Sequence, residues 1–208
     1  MRAPFAPIPP DRRLRRGVQL LAGLVLFGVT AAMLVLAGLG LDPWDVLHQG
    51  LSRTLGLGIG TWAILVSCLV LLLWWPLRQR PGLGTVANAT IVGTVIDIVL
   101  SLVHPPHLLW VRIVLMLGGV AGNGIATGLY VGAGLGPGPR DGLSIGIAAK
   151  GRSLRVVRTC IEATVLVTGI LLGGTVGVGT VVYALSIGPI THVTIPALAI
   201  DRPKQPAA

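Results

Sequence analysis

Residues Ala37–Leu47 read AGLGLDPWDVL, and residues Ala133–Leu143 read AGLGPGPRDGL. Each copy closes an apolar run with glycines, then Pro and Asp, at an offset of 96 positions. The correspondence continues downstream. GLGTV at 82–86 is matched by GVGTV at 177–181, and IVGTVID at 91–97 by SIGPITH at 186–192, which sets Gly93 on Gly188 and Asp97 on His192. The chain therefore reads as two related halves.

Composition places both halves in a bilayer. The 208 residues are 53% hydrophobic and 11% charged, with mean hydropathy +0.84. Soluble domains carry about 25% charged residues. Gly17–Leu39, Thr54–Leu77 and Ile113–Pro139 contain no Asp, Glu, Lys or Arg, and about 20 apolar residues suffice for a helix to cross the hydrocarbon core. The segment 163–200 is also uncharged, too long for one crossing, and is divided by GGTVGVGT; a glycine cluster of that kind is a turn. Six spans are expected, at about 17–39, 58–77, 83–103, 110–134, 156–174 and 178–199. Short helices are expected after each motif, the first over 46–55 with Val46, Leu47, Leu51 and Leu55 on one face. HPPH at 104–107 is a turn.

With the N-terminus inside, every Lys and Arg except Arg53 and Arg112 falls on the cytoplasmic side, Arg140 included. That is the positive-inside distribution. The net charge of +9 and pI of about 11.3 thus belong to topology and to anionic lipid head groups, and nucleic acid is not an expected partner. Trp44, Trp62 and Trp110 are expected at the outer interface and Trp74 and Trp75 at the inner one. RRLRR before the first span imitates a signal peptide, but the run is long for an h-region and lacks a small-x-small site, so it is expected to be retained. Cys68 and Cys160 fall within spans and are expected to be buried thiols, with neither a disulfide nor a zinc site.

Three spans per half is an odd number, so the second half inserts with opposite orientation. The expected fold is an all-α polytopic membrane protein, six transmembrane helices as two inverted three-helix repeats, each with a short interrupted helix after its Gly-rich Asp/Pro motif. The segments are a disordered cytoplasmic tail (1–13), a first repeat (14–104), a second repeat (105–200) and a cytoplasmic tail (201–208). Inverted repeats with interrupted helices are a plan of secondary transporters, with the site at the midplane.

The closing motifs GLGLDPWDVL and GLGPGPRDGL, each at the end of a glycine-rich span, resemble the YitT/YczE family of small bacterial integral membrane proteins. The resemblance covers roughly 14–200; the second copy departs from it, with Gly138 in place of the first Asp and Arg140 in place of Trp. It implies a bacterial inner-membrane protein; the distribution of Lys and Arg puts both termini on the cytoplasmic side. The soluble C-terminal domain of YitT-type members is missing, which favours the shorter YczE-like branch.

Candidate functional residues follow from chemistry that a span tolerates poorly. Asp42 before Pro43 is a helix N-cap, and Asp45 lies in the first turn. Gly138, Pro139 and Asp141 repeat the pattern. These carboxylates either only start short helices, or they bring two helix N-termini to one cavity where Asp45 and Asp141 bind a cation or proton, or the N–H groups an anion. Arg140 is either an interfacial arginine or the second half's specificity element. Asp97 is the deepest acid, and its counterpart His192 the one histidine deep in a span; together they form a candidate relay, unless Asp97 lies at the outer interface. Glu162 and Arg158 have ion-pair spacing. Asn88 and Asn123 are placed to hydrogen-bond between helices, and Gly124, Gly128 and Gly132, with Gly28 and Ala32, to join the two halves.

No phosphate loop, HExxH or nucleophile elbow occurs. The expectation is a non-enzymatic permease without cofactor, for an unidentified small molecule or ion, able to form a homodimer. The alternative is a non-transporting accessory protein that supports another membrane or biosynthetic complex.

Overall fold

A computed structural model describes residues 11–200. Within them are eight helices and no strand: α1 (Arg13–Ala37), α2 (Pro43–Leu55), α3 (Ile59–Trp74), α4 (Leu83–Leu102), α5 (Leu109–Gly132), α6 (Pro139–Ala148), α7 (Leu154–Leu171) and α8 (Val178–Leu198). Every expected span and both short helices correspond to one of them. The N-cap is where the sequence places it: Asp42 accepts from the backbone N–H groups of Trp44 and Asp45, and Pro43 opens α2.

The centre is the antiparallel pair α1 and α5. Small residues let the backbones meet: Gly23 abuts Ala126, Leu129 and Tyr130, and Gly119 abuts Thr30 and Leu34. A side chain on either glycine would force the helices apart. α4 packs on α1 and α8 on α5, while α2 lies against α3 and α7, and α6 against α7 and α3. Each short helix thus touches the long helix that follows it and the corresponding helix of the other half.

The chain leaves α1 and α5 by the same route. Gly38 and Gly134 adopt φ +58 and +69, and Gly40 and Gly136 adopt φ +118 and +119, a region that L side chains avoid. The glycine turns then dock crosswise. Gly84 donates to the Leu135 carbonyl at 2.8 Å, and Gly179 to the Leu39 carbonyl at 2.7 Å. Thr85 and Thr180, at matching places, accept from Gly82 and Gly177 at their own helix starts.

The six expected spans are met in part, and the placement of several residues is corrected. Four helices, α1, α4, α5 and α8, are each long and apolar enough to cross a membrane, or five spans if α2 and α3, bent by 112°, are taken as one. α3 has only 16 residues, and α7 carries Arg155, Arg158 and Glu162. The stripe Gly124, Gly128 and Gly132 does not join the halves; it receives Ile190, Thr194 and Leu198 of α8. Trp44 and Trp74 are buried rather than interfacial, and the Trp74 indole donates to the Pro139 carbonyl at 3.0 Å. Cys68 and Cys160 are exposed on the outer faces of α3 and α7. In a bilayer an outward apolar or thiol side chain costs nothing, so residence in a span does not mean burial within protein. The face of α2 is also different: Val46 is buried but Leu55 is exposed.

The tails expected at 1–13 and 201–208 lie outside the described residues except for 11–13. There Arg16 donates to both carboxylate oxygens of Asp11, which holds the Asp11 carboxyl below its usual range.

Candidate functional site

The two motifs end at opposite ends of the α1/α5 pair, yet α2 and α6 begin beside each other. After its left-handed glycines each chain segment turns inward, so both helix N-termini return to the interior. There Arg140 Nη1 of α6 stands 3.6 Å from Asp42 Oδ1 of α2, with the carboxylate 1% exposed. The Arg140 guanidinium also lies 5.2 Å over the Phe27 ring of α1, where the π face attracts a cation. Arg140 thus ties α6 to α2 while 30% of its side chain stays exposed.

Asp45 is buried and faces His48, one turn on, at 3.1 Å between Oδ1 and Nδ1. On the other side Tyr130 donates to Asp141 Oδ2 at 2.9 Å, and Tyr183 donates to Asn123 Oδ1 at 3.0 Å, joining α8 to α5. Among the described residues, four buried polar atoms have no hydrogen-bond partner within the protein: Asp42 Oδ2, Asp45 Oδ2, His48 Nε2 and Asn123 Nδ2. Buried polar groups are normally satisfied, and three of these four lie on the short helix α2.

Two cavities flank this centre. The first, about 110 Å³, includes Asp42, Arg140, Asp141, Arg158, Glu162 and Tyr183 in its wall. The second, about 50 Å³, includes Asp45, His48, Ser67, Asn88 and Pro139. Trp44 and Arg140 face both. Their walls are made from corresponding residues of the two halves. At the same offset as the glycine turns, Ala63 and Ser67 of the second cavity correspond to Arg158 and Glu162 of the first, and Asn88 corresponds to Tyr183. The short helices keep the rule too, with Asp45 and His48 corresponding to Asp141 and Ser144. One backbone plan thus yields a cavity with the ionic Arg158 and Glu162 in its wall and another with the uncharged Ala63 and Ser67 at the corresponding places.

A profile for a family of unknown function, DUF6198, matches residues 14–196. The chain belongs to this family. An uncharacterized protein of Haemophilus influenzae is 41% identical over 174 residues, covering 83% of this chain and 80% of its own. The uncharacterized membrane protein YczE of Bacillus subtilis is 34% identical over 179 residues, covering 84% and 83%. A third relative, the uncharacterized protein YyaS of Bacillus subtilis, is 29% identical over 179 residues. No solved structure matches. The YczE-like resemblance of the two motifs is thereby shown, and the chain is a multi-pass helical membrane protein.

Within this family member, the sequence-derived candidates divide. Asp42, Asp45, Arg140 and Asp141 are gathered at the centre. Asp97 and His192 are not brought together. Asp97 accepts from the backbone N–H groups of Gly60 and Thr61, and from the Thr61 hydroxyl, each at 2.7 Å, so it caps α3 from α4. His192 is exposed on α8 beside Gly188. The buried histidine is His48, three residues after Asp45, and the i,i+3 spacing was its available signal. Arg158 and Glu162 form the expected pair at 2.9 Å, but in the wall of the first cavity. Asn123 bonds between helices as expected; Asn88 lines the second cavity. Among the described residues no group of three His, Cys, Asp or Glu side chains is arranged to hold a metal ion.

Proposed function

We propose that this chain is a small secondary transporter built from two inverted three-span repeats, with its solute site between the N-termini of α2 and α6. The observation that carries this is the Asp42–Arg140 pair, which separates two cavities walled by corresponding residues of the two halves. A wall of equivalent residues, reached from opposite sides, is what alternating access around a fixed site requires. Irregular backbone inside a bilayer is tolerated where protein buries it or where it lines a cavity, and residues 38–42 and 134–138 meet that condition. In this scheme both termini and the 149–153 loop are cytoplasmic, the 103–108 turn is external, α3 and α7 are short spans completed by α2 and α6, and the membrane is the bacterial inner membrane. Asp42, Asp45, Arg140 and Asp141 form the site; no catalytic role or cofactor is assigned.

The test is thiol accessibility in intact cells. In a Cys68→Ser, Cys160→Ser background, single cysteines replace His104, Ser153, Ser67 and Ser144. An impermeant maleimide is expected to label His104→Cys and Ser67→Cys from outside, and Ser153→Cys and Ser144→Cys only once the inner face is opened. Labelling of Ser67→Cys and Ser144→Cys from the same side overturns the scheme.

A further inference from the structure

The transporter scheme names no driving ion, and two of its site residues, Asp42 and Asp45, belong to a buried array that continues to His48. Asp42, Asp45 and His48 follow one another along the first turns of α2. All three are more than nine-tenths buried, and each has an atom without a partner: Oδ2, Oδ2 and Nε2. Asp42 lines the first cavity, whereas Asp45 and His48 line the second. The array crosses the wall between the two cavities.

We propose that Asp42, Asp45 and His48 form a proton-binding site that connects the two cavities across the start of α2. Each unpartnered atom is a lone-pair position that one proton completes. Transfer along the array makes and breaks only O–H and N–H bonds, so no co-reactant besides solvent protons is required. The charges facing the array are few. α6 supplies Arg140 and Asp141, α7 supplies Arg158 and Glu162 across the first cavity, and α5 and α8 supply the hydroxyls of Tyr130 and Tyr183. From α3 and α4 come only the neutral Ser67 and Asn88.

Two observations favour a proton over a metal cation. No three ligating side chains converge among the described residues, and the partner of the second carboxylate is an imidazole, a group suited to accept and release protons near neutrality. The second half lacks the array: Gly138 and Ser144 stand where Asp42 and His48 do, and Asp141 is already held by Tyr130. The proton-binding groups thus all come from the first half, along α2. Use of the proton to drive transport rests on the scheme above; proton binding itself does not.

The test uses the purified full-length chain in detergent and an apolar carbodiimide, which adds to a protonated carboxyl and not to a carboxylate. Intact mass and peptide mapping are expected to give one adduct per chain, on Asp42 or Asp45. Labelling should slow by about tenfold for each pH unit above neutrality, as the protonated fraction falls. Asp42→Asn with Asp45→Asn removes the adduct, and His48→Gln displaces the pH profile of labelling. No adduct at any pH, or adducts on Asp97, Asp141 or Glu162 alone, overturns the proposal. An undisplaced profile in His48→Gln removes histidine from the array. Because the wild-type peptide map decides the first question, a misfolded variant does not obscure it. Because no flux is measured, the outcome is separate from that of the thiol experiment.

Discussion

Arg16 and Arg112 lie 96 positions apart and do the same work at opposite ends of the bundle. Arg16, at the start of α1, donates to the Ala133 carbonyl at the end of α5, at 2.9 Å. Arg112, at the start of α5, donates to the Ala37 and Gly38 carbonyls at the end of α1. Helix C-termini leave carbonyls without intrahelical donors and carry partial negative charge. Each half therefore supplies the guanidinium that closes the other half's first helix.

Replacing Arg112 by Met removes two such bonds. Hydrogen bonds to charged groups contribute about 1.5–3 kcal/mol, so the melting temperature in detergent is expected to fall. Arg112→Lys should recover only part of the loss, because one ammonium does not reproduce the planar fork. An unchanged melt for Arg112→Met refutes the assignment.

Gly93 and Gly188 correspond in sequence but not in surroundings. The Gly93 backbone is in contact with Gly60, whereas Gly188 has nothing within 4 Å of where a side chain would begin. Gly93→Ala should destabilise by about 1–3 kcal/mol through overpacking. Gly188→Ala should be neutral, or stabilise by up to about 1 kcal/mol as an exposed helical Gly→Ala change does. Thermal melts of the two variants side by side decide this, and equal effects would contradict the open space beside Gly188.

Asp97→Asn is expected to lower stability by about 1–2 kcal/mol, the usual value of an N-terminal cap, since the amide cannot accept from Gly60 and Thr61 as a carboxylate does. Asp97→Ala should cost more. A variant that melts like the wild type but alters carbodiimide labelling would return Asp97 to a functional role.

Gly40→Ala and Gly136→Ala place a methyl in left-handed backbone, 2.7 Å from the Gly177 nitrogen and 2.8 Å from the Thr85 hydroxyl oxygen. Both should destabilise, by similar amounts and by more than about 1 kcal/mol. Expression and melting of the pair measure it; a tolerated Gly40→Ala would mean that the crosswise docking is loose.

Much of the fold was legible because glycine and proline punctuate an apolar chain. The doubled motif located α2 and α6, and GGTVGVGT separated α7 from α8. The two helix starts were legible as well, since Asp42 and Pro43 are a cap and an N1 residue wherever they occur; their convergence on one cavity was only one of two readings of the same residues. Burial was not. In water an apolar face points inward, but in lipid it points either way, so Cys68 and Trp44 had no signal to distinguish outside from inside. Arg16 and Arg112 were read only as charges on loops, because their carbonyl acceptors are more than 70 residues away. His48 sits on a short helix whose N-terminus is interior, whereas the expectation followed hydropathy and placed depth in the long spans.

The crosswise bonds have a consequence for how the chain is put together. Cut in the 103–108 turn, neither fragment is complete: one lacks a donor for Ala37, the other for Ala133, and the Leu39 and Leu135 carbonyls each lose the glycine N–H that came from the other side. Each fragment carries what its counterpart is missing. Co-expressed as separate polypeptides, the two should find one another and restore the bundle, while either made alone should be degraded.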